Sequence, residues 1–180
     1  MNDKYEFTGE TKEWCGRTLH RIRALKNFGD VKAGDVGGWI ESEDNLSCVG
    51  NGWVSGNGMV FGNGRVSENG RVFGNGMVFG NGWVFGNGRV SGNGRVSGNG
   101  DYITCGPIGS RGGITTIFRD EEKKVCVNCG CFSGSLDEFE SAVQKTHGDS
   151  QHGKEYMALI ALARIRFAHL LCDDADGGVE

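Results

Sequence analysis

The chain has little proline, no long apolar run and no excess of positive charge, and each absence excludes a class of protein. One proline stands against 33 glycines in 180 residues, which excludes a collagen and a proline-rich linker. No stretch of 18 apolar residues occurs, so we expect no membrane span. The formal net charge is −4, so we expect no nucleic acid polymer as a partner.

The N-terminal residues also lack the apolar stretch of an export signal. The chain has seven cysteines, an odd number that does not suggest a complete disulfide framework. We therefore expect reduced thiols and a cytoplasmic protein.

What the chain does have is a strict repeat of six residues. From Trp53 it reads WVSGNG, MVFGNG, RVSENG, RVFGNG, MVFGNG, WVFGNG, RVSGNG, RVSGNG, with valine, asparagine and the last glycine invariant in eight units. This period fits neither a helix nor a continuous strand. It predicts short strands and corners, with each valine buried and three units in each coil. We expect the corner at Asn-Gly, where positive φ is tolerated, with the glycine leaving room in a narrow interior.

The unit Val-x-Gly-Asn-Gly-x resembles the hexapeptide motif of left-handed β-helix proteins, which include many acyltransferases, although that family prefers alanine or serine as the small inward residue. The resemblance, and not the period, implies the left hand of the coil. The flanks GRTLHRIRALKNFGDVKAGDVGGWIESEDNLS, GPIGSRGGITTIFR and CGCFSGSLDEFESAVQKTHG resemble small hexapeptide-repeat proteins carried by bacterial phages and prophages. This second resemblance extends over nearly the whole chain and implies a host-cell cytoplasm rather than an activity.

The predicted fold is mainly β, with three parts. An N-terminal β cap occupies 1–37, a left-handed parallel β-helix 38–114, and a C-terminal β-hairpin with two helices 115–180. The predicted β-helix extends to Ile114 because Tyr102, Ile108 and Ile114 continue the six-residue step as degenerate end coils.

Sequence signals in the last part place its helices. Ser135 and Glu138 have the spacing of a capping box and begin the first helix, which ends near His147. The second helix is predicted from about Lys154 to Leu171 because apolar residues recur along one face. The acidic residues 173–180 are expected to form a frayed tail.

Side chains beside each valine are expected to point outward, and those 18 positions apart are expected to stack. One face would then expose four large apolar side chains, which we interpret as the interface of a homo-oligomer, with a trimer favoured. In the alternative, the terminal segments fold back over this patch. The four residues are Met59, Phe61, Met77 and Phe79.

Other residues suggest a site for a small anionic or nucleotide-like ligand between subunits. On a second face Trp53 would lie one coil below Arg71, as a cation–π pair or as a ligand contact. The glycine-rich segment 106–113 is most simply a turn, but its polar side chains could donate to an anion. The predicted ligand-binding residues are Ser110, Arg111, Thr115, Arg119, Trp53 and Arg71.

Residues for catalysis or metal binding are sparse. Cys126, Cys129 and Cys131 lack a second cysteine pair, and only Cys105 or His147 could complete a zinc site. Packed cysteines are the simpler interpretation, so we predict no metal or other cofactor while leaving metal binding by these thiols open.

The repeats contain no histidine that could act as the base of an acyltransferase. A nucleophilic pair of Cys131 and His147 is conceivable, since both belong to the C-terminal part. We therefore expect a non-enzymatic binding protein, which in a phage could sequester a host nucleotide signal and blunt antiviral defence. The alternative is a scaffold that docks a host or virion protein, and an acyltransferase-like enzyme ranks third.

Overall fold

The computed structural model describes residues 2–98 and 100–168, which divide into two compact units, an N-terminal one up to position 98 and a C-terminal one from position 100. The N-terminal unit begins with three strands, β1 (Tyr5–Trp14), β2 (Arg17–Ala24) and β3 (Val36–Ile40), followed by a short 3-10 helix, Glu43–Asn45. Eight two-residue strands then recur every six residues: β4 (Trp53–Val54), β5 (Met59–Val60), β6 (Arg65–Val66), β7 (Arg71–Val72), β8 (Met77–Val78), β9 (Trp83–Val84), β10 (Arg89–Val90) and β11 (Arg95–Val96).

The eight short strands form a parallel β-solenoid of about three turns. Strand β4 pairs with β7 and β7 with β10, β5 pairs with β8 and β8 with β11, and β6 pairs with β9, always between residues 18 apart. We call the column of β5, β8 and β11 the first face, the column of β4, β7 and β10 the second face, and the column of β6 and β9 the third face. All eight repeat valines are at most 1% exposed, which confirms the predicted buried stack.

The two glycine positions of the repeat have different functions. The left-handed conformation falls on the residue before asparagine, as in Gly56 at φ 61° and Gly74 at φ 64°, or on Glu68 at φ 54°. The expectation that the Asn-Gly pair carries the positive φ is therefore wrong. The glycine after asparagine provides space, as predicted, because a Cβ on Gly70 would lie 2.6 Å from the carbonyl oxygen of Val84 in the next coil.

Asparagine side chains stack into ladders at the corners of the solenoid. The amide of Asn51 donates to Asn69 at 3.0 Å, and Asn69 donates to Asn87 at 3.2 Å. The other two corners repeat the pattern, for example from Asn57 to Asn75 at 3.2 Å. These exposed hydrogen bonds run in the same direction as the backbone bonds between coils, so each corner is tied twice to the next.

The N-terminal hairpin covers the first face of the solenoid. Strand β1 pairs with β2, β2 with β3, and β3 continues in parallel with β5. Leu19, Trp39, Met59, Phe61 and Met77 form one buried cluster, and the half-buried Phe79 and Trp14 pack against it. The expected exposed patch of Met59, Phe61, Met77 and Phe79 is therefore wrong, because the chain's own terminal segment buries it. The oligomer interface predicted there loses its basis.

A buried lysine closes the first coil. The ammonium of Lys4 donates to the carbonyl oxygens of Ser47 at 2.9 Å and Gly52 at 2.7 Å, and it lies 4.9 Å from the centre of the Phe28 ring. The side chain is fully buried, and this burial lowers the pKa of Lys4 to about 8. An N-terminal cap on the first coil was predicted, but its charged centre was not.

The C-terminal unit is a four-stranded antiparallel meander followed by two helices. Its elements are β12 (Tyr102–Ile108), β13 (Gly113–Arg119), β14 (Val125–Cys129), β15 (Phe132–Ser135), α1 (Leu136–His147) and α2 (Gln151–Arg166). The predicted end coils at Tyr102, Ile108 and Ile114 are wrong, because β12 pairs antiparallel with β13. The step of six there was a coincidence of spacing between alternating strand residues.

Several local predictions in this unit are confirmed. Ser135 is the N-cap of α1 and exchanges hydrogen bonds with Glu138, as the capping box requires. Strands β13 and β14 form the predicted hairpin. Helix α2 begins at Gln151, slightly earlier than predicted. The predicted helix end at Leu171 and the acidic tail at 173–180 lie outside the described residues.

Replacing the inward glycine at position 70 tests the space requirement of the solenoid. Gly70→Ala would force its Cβ against the Val84 carbonyl and should lower the free energy of unfolding by about 1–3 kcal/mol. Gly98→Ala is the control, since its Cβ would meet no atom within 4 Å, and should change stability by less than about 0.5 kcal/mol. Urea unfolding followed by tryptophan fluorescence measures both, because all four tryptophans belong to the N-terminal unit. Equal losses in the two variants would contradict this account.

The buried Lys4 predicts a stability that depends on pH. Because the folded chain lowers the pKa of Lys4 from 10.5 to about 8, the unfolded chain binds more protons between these values and stability rises with pH. Between pH 7.5 and 9.5 the gain should be about 2 kcal/mol.

Lys4→Met is the control for this pH dependence. It removes the titrating amine that donates to the carbonyl oxygens of Ser47 and Gly52, so the gain between pH 7.5 and 9.5 should vanish. The measurement is urea unfolding at four pH values. A wild-type chain whose stability falls over this range, or a variant with the same slope, would refute the prediction.

Candidate ligand-binding site

A cavity of about 270 Å³ opens in the C-terminal unit. The β12–β13 loop contributes Ser110 and Arg111, the end of β14 contributes Cys129, and the β14–β15 turn contributes Cys131. Helix α1 supplies one wall and α2 supplies Tyr156. The remaining lining residues are Gly113, Gly130, Phe132, Phe139, Ala142, Val143, Thr146 and His147.

Helix α2 holds the loop that carries Ser110 and Arg111. The amide of Gly109 donates to the carboxylate of Glu155 at 3.0 Å, and this hydrogen bond lowers the pKa of Glu155. Gly109 has φ 71°, and a Cβ there would overlap the Tyr156 side chain. Only glycine fits, so the loop is fixed at its first residue and presents the next two side chains, both exposed, at the mouth of the cavity.

Two hydrogen bonds of Cys129 link strands β13 and β14 with helix α2. The hydroxyl of the buried Thr115 donates to the Cys129 sulfur at 3.2 Å, and the Cys129 thiol donates to the Tyr156 hydroxyl at 3.7 Å. Burial, with this contact, raises the pKa of Tyr156 to about 12, while the positive charge of Arg111 acts in the opposite direction. The Tyr156 hydroxyl is therefore neutral at physiological pH and can donate a hydrogen bond.

The floor of the cavity is apolar and aromatic. The Phe132 and Phe139 rings lie 5.1 Å apart, and Phe139 meets Tyr156 edge to face at 5.6 Å. His147, the last residue of α1, has its ring 5.5 Å from that of Tyr156. Among the described residues that line the cavity, none is aspartate or glutamate.

The predicted ligand-binding residues do not form one site. Ser110 and Arg111 line the cavity, whereas Thr115 lies behind its wall. Arg119 stands at the other end of β13 and forms a salt bridge with Asp101 at 3.1 Å. Sequence spacing had grouped them because β13 follows the loop directly. However, β13 is an extended strand of seven residues, so Arg119 at its far end lies away from the loop.

Trp53 and Arg71 belong to the N-terminal unit and have structural contacts there. The Trp53 ring is buried, with the Phe28 ring 5.3 Å away. Arg71 forms an ion pair with Asp30. Although the two residues are neighbours in the parallel register, the prediction of an outward surface for a ligand at Trp53 is wrong, because the segment before the solenoid covers it.

The three cysteines that lie close together in the sequence have different surroundings in the structure. Cys126 donates to Asp120 at 3.8 Å, and burial raises its pKa to about 11. Cys129 faces Thr115 and Tyr156, while Cys131 is exposed in the turn. Across residues 2–98 and 100–168, no three His, Cys, Asp or Glu side chains are grouped as metal ligands would be.

Sequence reasoning missed the contributions of α1 and α2 to this cavity. It had paired Cys131 with His147 only because both were expected in the same part of the chain, and both do line the cavity. An apolar packing face was predicted for the second helix, and Tyr156 of that helix does belong to the core of this unit. No local signal showed that its hydroxyl meets a cysteine 27 residues earlier.

No protein-family model matches this chain, and no curated protein sequence matches it. Neither described helix has the length and apolar content needed to cross a bilayer. The functional assignment of the cavity therefore depends on its own geometry and charge.

Proposed function

We propose that the C-terminal unit binds a small anionic ligand reversibly and without turnover in the cavity between its sheet and helices. The observation that carries this proposal is the placement of Arg111 and Ser110 on a fixed loop above the apolar floor of Phe132 and Phe139. The guanidinium and hydroxyl can donate to a phosphate or carboxylate, while the floor accepts an aromatic or aliphatic body.

The size of the cavity limits the ligand. Its volume of about 270 Å³ lies near the lower end of small-molecule sites, which begin at about 300 Å³. A ligand with one acidic group and one ring system matches this space, and a longer molecule would extend into solvent past Arg111, which is exposed. A mononucleotide is therefore a better match than a fully enclosed dinucleotide.

The resemblance to phage-borne hexapeptide-repeat proteins supports a narrower form of this proposal. In that form the chain is a left-handed β-helix protein of the host-cell cytoplasm, and it sequesters a nucleotide signal used in antiviral defence. The rigid solenoid would then serve as a carrier for the ligand-binding unit.

Arg111→Ala is the direct test of the proposed site. Removing the guanidinium should weaken binding of an anion at least about tenfold, since a charge-assisted hydrogen bond contributes about 1.5–3 kcal/mol. Isothermal titration and native mass spectrometry with inorganic phosphate, AMP, ADP-ribose and a cyclic dinucleotide measure the effect. Lys145→Ala is the control, because it removes an exposed positive charge of α1 that does not line the cavity.

The outcomes of this experiment separate clearly. Binding that falls in Arg111→Ala and persists in Lys145→Ala supports the site. Equal weakening in both variants would show nonspecific attraction to positive charge, and an absence of binding by any of the four anions would refute the proposed function.

A second candidate function, assembly with further copies of the chain, is favoured by the third face of the solenoid. Trp83 and Phe85 are 43% and 38% exposed, and their ring centres lie 4.9 Å apart. The same face carries the exposed Arg65, a positive charge that an acidic group of a second copy could pair. A scaffold that docks a different protein would use the same aromatic pair.

The mass of the assembled protein tests this second candidate. We expect native mass spectrometry of the full chain to show a closed oligomer, with a trimer favoured, that dissociates in Trp83→Asp. Ile165→Asp is the matched control, because Ile165 is 76% exposed and belongs to α2 rather than to the solenoid. A monomer at micromolar concentration would refute self-assembly and leave docking of another protein as the use of this face.

A further inference from the structure

The cavity contains a free thiol at its mouth, which the proposed binding of an anion does not require. Cys131 and Cys129 both line the cavity and are both free. Cys129 is half-buried and hydrogen-bonded on both sides, to Thr115 and Tyr156. Cys131 is exposed, so of the two it is the thiol that a molecule in the cavity would meet.

The turn that carries Cys131 explains this placement. Cys129 pairs with Phe132 across the β14–β15 hairpin, so Gly130 and Cys131 form a two-residue loop. Gly130 has φ 59°, the left-handed conformation that such loops require at their first position. The loop projects Cys131 away from the strand ladder, while its two flanking residues, Cys129 and Phe132, also line the cavity.

The charge of the cavity selects which electrophile reaches this thiol. Arg111 and His147 line the same space, and the described lining residues include no carboxylate. A thiolate attacking an anionic molecule is normally slowed by charge repulsion, and a neighbouring guanidinium offsets this repulsion. Exposed Cys15 and Cys48 do not line this cavity.

We propose that Cys131 captures an anionic disulfide of low molecular mass by thiol–disulfide exchange, with Arg111 holding the anionic group. This inference rests on the proposed anion-binding function and names a reactive class of its ligand. The Cys131 thiol loses its proton to solvent, and its sulfur attacks one sulfur of the bound disulfide. A new S–S bond forms, the original S–S bond breaks, and the second half leaves as a thiolate with the electron pair.

The captured half remains on the protein as a mixed disulfide, and a second thiol from solution releases it by the same exchange. In the capture step the incoming disulfide is the oxidant: the Cys131 thiol is oxidised and the departing half is reduced. Each chain therefore holds one captured half at a time, until such a thiol releases it.

The test compares an anionic with a cationic disulfide on the folded full-length chain. The probes are 5,5′-dithiobis(2-nitrobenzoate) and cystamine, used briefly at low concentration, and peptide mass spectrometry measures the adduct at each cysteine. Relative to Cys15 in the same molecule, Cys131 should react faster with the anionic probe. Arg111→Ala should lower this preference at least about threefold, whereas Lys145→Ala should not.

Two results would overturn the inference. Cys131 could react no faster than Cys15 with the anionic probe, or it could prefer the anionic probe equally after Arg111→Ala. Cys131→Ser separates this failure from failure of the proposed function, because it removes the nucleophile and keeps Arg111. Reversible anion binding by Cys131→Ser without selective capture in the wild type would refute only the thiol chemistry.

Discussion

The N-terminal unit depends on backbone hydrogen bonds between residues in successive coils. The amide of Trp53 donates to Gly70 at 3.0 Å, and that of Arg71 donates to Gly88 at 2.9 Å. Such bonds recur on every face, so each strand of two residues is held by its neighbours above and below rather than by its own length. The buried valines and the corner ladders follow the same stacking direction, and both would be lost if the coils separated.

This dependence explains the composition of the repeat. The inward glycine after asparagine lies so close to the next coil that a side chain would strike its carbonyl oxygen. The glycine before asparagine instead turns the chain through positive φ, and Glu68 adopts that conformation at a cost that its hydrogen bond to the Gly86 amide, at 2.9 Å, partly offsets. Two glycines that look equivalent in sequence therefore meet different physical demands.

The sequence predicts the solenoid better than its surroundings because the period reports a local geometry that each unit repeats. Burial of Val54 through Val96 could be derived from spacing alone. The fate of Met59 and Phe61 could not, because a strand hairpin formed 40 residues earlier covers them, and a periodic pattern carries no information about distant segments. For the same reason the step of six at Tyr102 and Ile108 was misleading, since alternating residues of an ordinary strand also match it.

The candidate site shows the same division between local and tertiary information. Ser110 and Arg111 could be predicted because a glycine-rich turn with polar side chains is a local signal. The participation of His147 and Tyr156 depends on how two helices pack on the meander, and the separation of Arg119 depends on the direction of β13. The composition of the candidate site therefore depends on tertiary packing, which a local sequence pattern does not report.

The 18-residue pairing register also constrains how this gene can change length. A duplication or loss of one six-residue unit advances the chain by one side of the triangle, so every later residue moves to a different face, and Trp83 would replace a residue of the first or second face. Only changes of three units keep each side chain on its own column. Near-identical repeats favour replication slippage, which inserts or deletes repeat units. Only insertions or deletions of a whole coil, three units, keep the faces of this solenoid intact.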